Sequence, residues 1–149
     1  MKSLFNSSDN VEIEERINKL APGARSQWGK MDAAQMMAHS NTTLKVAFGE
    51  LKLKRGLMGM LFGGIAKKKL TGAEPFDRNL PTDRNFVVAD RRNFEEEKRT
   101  LLALVKRFAQ AGPGGITQEA HPFFGKMSPE EWDRLTWNHL DHHLRQFGA

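Results

Sequence analysis

Near its end the sequence reads Trp137-Asn138-His139-Leu140-Asp141-His142-His143-Leu144-Arg145-Gln146-Phe147, which places two imidazoles four residues apart. On a helix, at about 100° per residue, His139 and His143 stand one turn apart on one face and can occupy two corners of a divalent metal's coordination shell. Trp132, Leu135, Thr136 and Phe147 share that face, which predicts that both rings turn inward, where unpaired imidazoles are costly. Taken alone, the pair fits two readings equally: metal ligands, or polar side chains at a core margin satisfied by backbone or water. His39 tips the balance. It is the only histidine ahead of residue 121, and it flanks an apolar stripe between Met36 and Thr43. Facing helices of an antiparallel bundle commonly supply ligands to one internal site. Three neutral imidazoles with an open fourth position describe a catalytic rather than a structural zinc-type centre.

The other two histidines are assigned differently. His142 points about 60° to the other side of His139, as a surface residue or one that steadies a ligand, with ligand replacement the lesser alternative; Asp141 turns outward. A metal-bound imidazole usually donates its second N–H to an acceptor, but the sequence does not identify which residue accepts. His121, in His121-Pro122-Phe123-Phe124-Gly125, precedes the last helix, where a loop-packing role is preferred to one beside the site. Cysteine is absent, which excludes disulfides, thiolate nucleophiles and cysteine-ligated zinc. No serine–histidine or paired-carboxylate motif is present.

Four amphipathic segments would position these residues. The first begins at Ser8 or Asp9 and runs to Leu20, before Ala21-Pro22-Gly23. Trp28 falls in a loop. Asp32 caps a second helix through Phe48, with Met36, Ser40, Thr43, Leu44 and Ala47 at helical spacing. Asp90 caps a third helix through about Gln110, ended by Gly112-Pro113-Gly114-Gly115. The fourth has the clearest start: Ser128 as N-cap, Pro129 in the first turn and Glu131 completing a capping box, with the helix running to Phe147. Between the second and third, Leu51 to Leu70 mixes Leu57, Met58, Met60, Leu61, Phe62 and Ile65 with Gly56, Gly59, Gly63 and Gly64. At about 1 kcal/mol per interior glycine, a short, broken or mobile helix is expected, closer to a lid than a strut. Thr71 to Asp90, with Pro75 and Pro81, reads as an extended connection. Phe86-Val87-Val88 is the only β-like run. The expected fold is all-α: a four-helix bundle with a long crossover between helices two and three, in one domain over 1–149.

The chain of 149 residues, 39% hydrophobic and 28% charged, has the composition of an ordinary globular protein. Met1 to Glu15 lacks the pattern of a signal peptide, and no apolar run approaches the roughly 20 residues that span a bilayer; a cytoplasmic protein without a transmembrane segment is expected. The formal charge is +5. Lys52, Lys54, Arg55, Lys67, Lys68 and Lys69 lie in a stretch without acids, between Glu50 and Glu74, that accounts for the excess. A solvated face is the preferred reading of this run. Specific nucleic-acid binding would need a broader basic surface or a recognisable motif.

Ala33-Ala34-Gln35-Met36-Met37-Ala38-His39, paired with His139-Leu140-Asp141-His142-His143-Leu144-Arg145-Gln146-Phe147, resembles the DinB/YfiT-like superfamily, and most closely an uncharacterised branch with a His-Pro-Phe-Phe-Gly segment, here His121 to Gly125. The resemblance spans nearly the whole chain. It implies a four-helix bundle, often a homodimer, with a three-histidine site for zinc or nickel on His39, His139 and His143. It also implies thiol chemistry, since characterised relatives are thiol-dependent transferases and an isomerase that activate a low-molecular-weight thiol. The Gly/Met/Lys segment is not a general superfamily feature, so no substrate carries over. Two functions follow as expectations. One is a metal-dependent enzyme of the thiol transferase or hydrolase type acting on a small-molecule substrate, with Lys67, Lys68 and Lys69 attracting carboxylates. The other is a non-enzymatic membrane-surface or protein-binding module using residues 56–69.

Overall fold

The Asn6 side chain accepts hydrogen bonds from the backbone N–H groups of Ser8 and Asp9 and so starts α1, Ser7–Lys19. The computed structural model, which describes residues 1–149, continues with α2 (Ala33–Ala47), α3 (Leu57–Leu70), α4 (Phe94–Ala111) and α5 (Pro129–Gln146). Single 3₁₀ turns at Arg84–Phe86 and Pro113–Gly115 complete the regular structure. The fold is all-helical. No strand forms, and Phe86-Val87-Val88 leaves its 3₁₀ turn as extended chain.

Two helix starts follow the expected signals closely. Asp32 and Gln35 form a reciprocal capping box on α2, and Ser128 and Glu131 form another on α5, each satisfying amides that the helix cannot pair internally. The start of α4 differs. Asn93, not Asp90, is the cap, its side chain accepting from the Glu96 amide, which sets Glu95, Glu96 and Glu97 in the positively polarised first turn. Asp90 instead pairs with Arg92.

α1, α2, α4 and α5 pack on one another around one connected apolar core. Ile13 and Ile17 come from α1, Met36, Met37 and Leu44 from α2, Leu101, Val105 and Phe108 from α4, and Trp132, Leu140 and Leu144 from α5. α2 is the inner element, with eleven of its fifteen residues buried, as expected of a helix covered on most sides. His39 therefore sits in the interior because its helix does.

The glycine-rich segment departs from expectation: α3 is one unbroken helix of 14 residues that packs on α5. The glycines opposed a helix on propensity, but they serve its docking. A Cβ on Gly59 would lie 2.8 Å from the Phe123 carbonyl oxygen, and one on Gly63 only 2.0 Å from it. A side chain at either position would hold α3 away from the His121–Gly125 loop. Thr71 to Asp90 then runs as an irregular connection back toward the core, where Phe86 is buried.

Candidate metal centre

α2 and α5 bring His39, His139 and His143 together. One ring nitrogen from each lies within 4.8 Å of the other two, and the ring centroids form a triangle with sides of 4.8, 4.9 and 4.5 Å. His39 and His143 are buried, and His139 is partly exposed. Nε2 of His39 is 2.8 Å from Nε2 of His139.

The surrounding hydrogen bonds fix two of the tautomers. Nδ1 of His39 is 2.8 Å from the Phe86 carbonyl oxygen; a carbonyl can only accept, so Nδ1 carries the hydrogen and Nε2 presents a lone pair to the cluster. For His143 the logic runs through Gln146. The Gln146 amide donates to the Trp28 carbonyl at 2.6 Å, which leaves its Oε1 to accept from Nδ1 of His143 at 2.8 Å. His143 therefore also keeps Nε2 unprotonated. Two imidazoles held by Nδ1–H bonds with bare Nε2 atoms are oriented as metal-ligating histidines are. The third is looser: Nδ1 of His139 is buried without a partner.

Burial also keeps the cluster uncharged. It lowers the pKa of His39, against a smaller opposing effect of the Phe86 carbonyl. It lowers His139 well below the usual imidazole range, reinforced by repulsion from His143 and His39. It takes His143 to about 3, with repulsion from His39 adding to it. Neutral imidazoles are the form that binds metal. Nitrogens on one tetrahedral zinc-type ion stand about 3.3 Å apart, given bonds of roughly 2.0–2.1 Å. The separations here, 2.8 Å for one pair and none above 4.8 Å, bracket that value. In donor type, tautomer and spacing the residues fit a divalent ion.

The remaining histidines do not join the cluster. His142 is buried rather than on the surface, its ring 5.1 Å from that of His143 and packed against Trp28 and Phe76. On that side it meets a cavity of about 350 Å³, lined also by Trp28, Phe76, Arg78 and Arg145. The Arg78 guanidinium lies 4.4 Å over the Trp28 ring, whereas Arg145 is paired with Asp141 at 2.6 Å. Asp141 also binds Arg16 at 2.8 Å. Lys67 lies elsewhere. Its ammonium pairs with Glu131 at 3.0 Å and donates to the Lys126 carbonyl, at a level of α5 about 12 Å along the axis from His139. Lys68 is exposed on α3, and Lys69 pairs with Asp77.

His121 is a packing residue. It is buried among Phe86, Phe124 and Trp132, and its Nδ1 accepts from the amides of Phe123 and Phe124 at 3.0 and 3.2 Å. Burial lowers its pKa to about 3, and protonation would turn that acceptor into a donor facing two N–H groups. The unfolded value is near 6.5, so above that pH neither state binds the proton. Below it the unfolded chain does and the native chain does not, so stability falls as pH drops toward 3. This one group is expected to cost about 2 kcal/mol by pH 5 relative to pH 7. His121→Asn retains an acceptor oxygen but cannot titrate. Urea midpoints at pH 7, 6 and 5 should show a shallower pH slope for the variant, and equal slopes would contradict this assignment.

The Phe86 carbonyl and the Trp28–Gln146 relay were not identified from the sequence. Gln146, three residues beyond His143 on the same helix, had a usable spacing signal. A backbone carbonyl in an irregular connection gave none.

Residues 3–149 match the model of a family described as Protein of unknown function (DUF1569). No curated protein and no solved structure matches the chain.

Proposed function

Because the chain belongs to the DUF1569 family, whose description assigns no function, its own geometry has to supply the reading, and we propose that it is a metal-dependent enzyme centred on His39, His139 and His143. One observation carries this: nitrogens of three neutral imidazoles, from helices a hundred residues apart in sequence, converge within 4.8 Å. A divalent ion held by three imidazoles supplies a Lewis acid with an open position that lowers the pKa of a thiol or water. Three imidazoles suit zinc, nickel, copper and iron alike, and zinc and nickel are favoured through the resemblance to DinB/YfiT-like proteins. The thiol in this reading, and with it transferase rather than hydrolase chemistry, comes from the resemblance to DinB/YfiT-like proteins.

The chain's own groups set the rest of the site. Phe86 and Gln146 orient the rings, and burial keeps them neutral. Arg78 lines the cavity against His142 without an acidic partner, whereas Lys67 is already paired with Glu131, so Arg78 is the freer cation for a small anionic substrate. The test is a thiol-transfer and hydrolysis screen on protein loaded with zinc or nickel. Turnover lost with chelator, restored by metal and absent in His139→Ala supports the reading. Failure of every thiol and ester substrate, or activity that survives chelation, counts against it.

Gln146 acts through His143 and is a positioning residue. Gln146→Leu removes the acceptor for Nδ1–H, and metal affinity should fall about 10–100-fold. Gln146→Glu keeps an acceptor for Nδ1–H but loses the donor to the Trp28 carbonyl, so it should recover only part of that loss. Competition titration with a chromophoric chelator measures both; unchanged affinity in Gln146→Leu would refute the role.

A further inference from the structure

The outer side of α3 is the largest anomaly on the molecule's surface. Leu57, Met58, Met60, Leu61, Phe62 and Ile65 are between 50% and 76% exposed on one helix, whereas a folded surface normally scatters such side chains singly. The arrangement is inverted: the small residues face inward, with Gly59 and Gly63 buried against the backbone of Phe123, and the large ones face out. At about 100° per residue, Leu57, Leu61, Ile65 and Lys68 form the outermost ridge, with Met58, Met60 and Phe62 on its flanks. The helix packs on α5 and on the Phe123 backbone, so this surface is held outward.

Charge decides what covers it. No acid occurs between Glu50 and Glu74. Among the cations of this stretch, Lys52 pairs with Glu119, Lys67 with Glu131 and Lys69 with Asp77. Lys54 before the helix and Lys68 near its end are exposed and have no acidic partner, and Arg55, also without one, donates to the Gly59 carbonyl. A second copy packed on this face antiparallel would set Lys54 and Arg55 against Lys68 of the other copy; packed parallel, it would set like residues together. Both arrangements juxtapose cations, so self-association is opposed. An anionic bilayer surface meets every term. It accepts a broad apolar ridge at the headgroup–acyl boundary and attracts the cations at both ends, and the Lys68 stem can run along apolar surface while its ammonium reaches the headgroups. No helix of the chain is long and apolar enough to cross a membrane. We infer that α3 is an interfacial helix that docks the folded chain on an anionic lipid surface, independently of the metal centre.

The experiment is sedimentation of the full chain with vesicles of phosphatidylcholine alone, or with about one third phosphatidylserine, at about 0.15 M salt. Binding should be at least ~10-fold stronger to the anionic vesicles and should weaken as salt rises. The double substitution Leu61→Asp with Ile65→Asp alters only exposed positions, so its thermal midpoint should stay near that of the parent while vesicle binding is lost. Lys54→Gln with Lys68→Gln should reduce binding and its salt dependence. Tryptophan emission of Leu61→Trp should shift blue when anionic vesicles are added. Absence of binding to the anionic vesicles would overturn the inference, as would binding that survives the double aspartate change. A dimer dissolved by that change, without vesicle binding, would identify a second copy as the occupant and also overturn it. Retention by an acidic protein surface but not by vesicles would do the same.

Discussion

Stripping divalent metal with a chelator is expected to lower the thermal midpoint by about 8–16 °C, and returning zinc or nickel is expected to restore it. An ion that binds only the folded chain stabilises it by about 4 kcal/mol at a free concentration near 1,000 times its dissociation constant. For a chain of this length each kcal/mol shifts the midpoint by roughly 2–4 °C. The three rings converge only when α2 and α5 are packed, so the unfolded chain offers no comparable site. His39→Ala removes the ligand from α2 and should abolish the response to metal, leaving a midpoint that neither chelator nor zinc changes. Differential scanning fluorimetry with and without chelator reads both outcomes.

The second large effect is a contrast between adjacent glycines. Gly63→Ala should lower the thermal midpoint by about 4–8 °C, whereas Gly64→Ala should raise it by up to about 4 °C. A Cβ at position 63 would meet the Phe123 carbonyl oxygen at 2.0 Å and the Phe124 Cα at 3.3 Å. These are backbone atoms that cannot rotate away, so overpacking of about 3 kcal/mol outweighs the roughly 1 kcal/mol that alanine gains over glycine in a helix. At position 64 nothing lies within 4 Å, and only the propensity gain remains. A common sign for the two substitutions would show that α3 does not dock through its Gly59–Gly63 face. Because the displaced loop begins with His121, whose ring stacks on Phe86, Gly63→Ala is also expected to loosen the carbonyl that orients His39.

That coupling separates features carried by a local stretch of sequence from those created only by the folded chain. His139 and His143 are legible because helical geometry is local: four residues make one turn, and the apolar neighbours on that face say which way it points. The caps at Asp32 and Ser128 are legible for the same reason, since each motif lies within one turn of chain. α3 is where propensity misleads. Glycines that weaken an isolated helix are the residues that let this one approach another backbone, and the penalty is met by a loop sixty residues away. Asp90 and Asn93 are both good caps three residues apart, and the acidic run Glu95 to Glu97, placed in the first turn by Asn93, separates them only once the helix is seen. Least accessible are the groups that orient the ligands. The Phe86 carbonyl has no side-chain signature, and the Trp28–Gln146–His143 relay joins residues brought together only by the folded chain.

Metal content tests most directly whether the three converging histidines bind a divalent ion. Untagged protein loaded with zinc or nickel and freed of excess by gel filtration should carry about one ion per chain by plasma mass spectrometry. Folded His39→Ala, His139→Ala and His143→Ala proteins should each retain less than about a tenth of that. A loaded parent protein with no stoichiometric metal, or variants that hold as much metal as the parent, would contradict such binding.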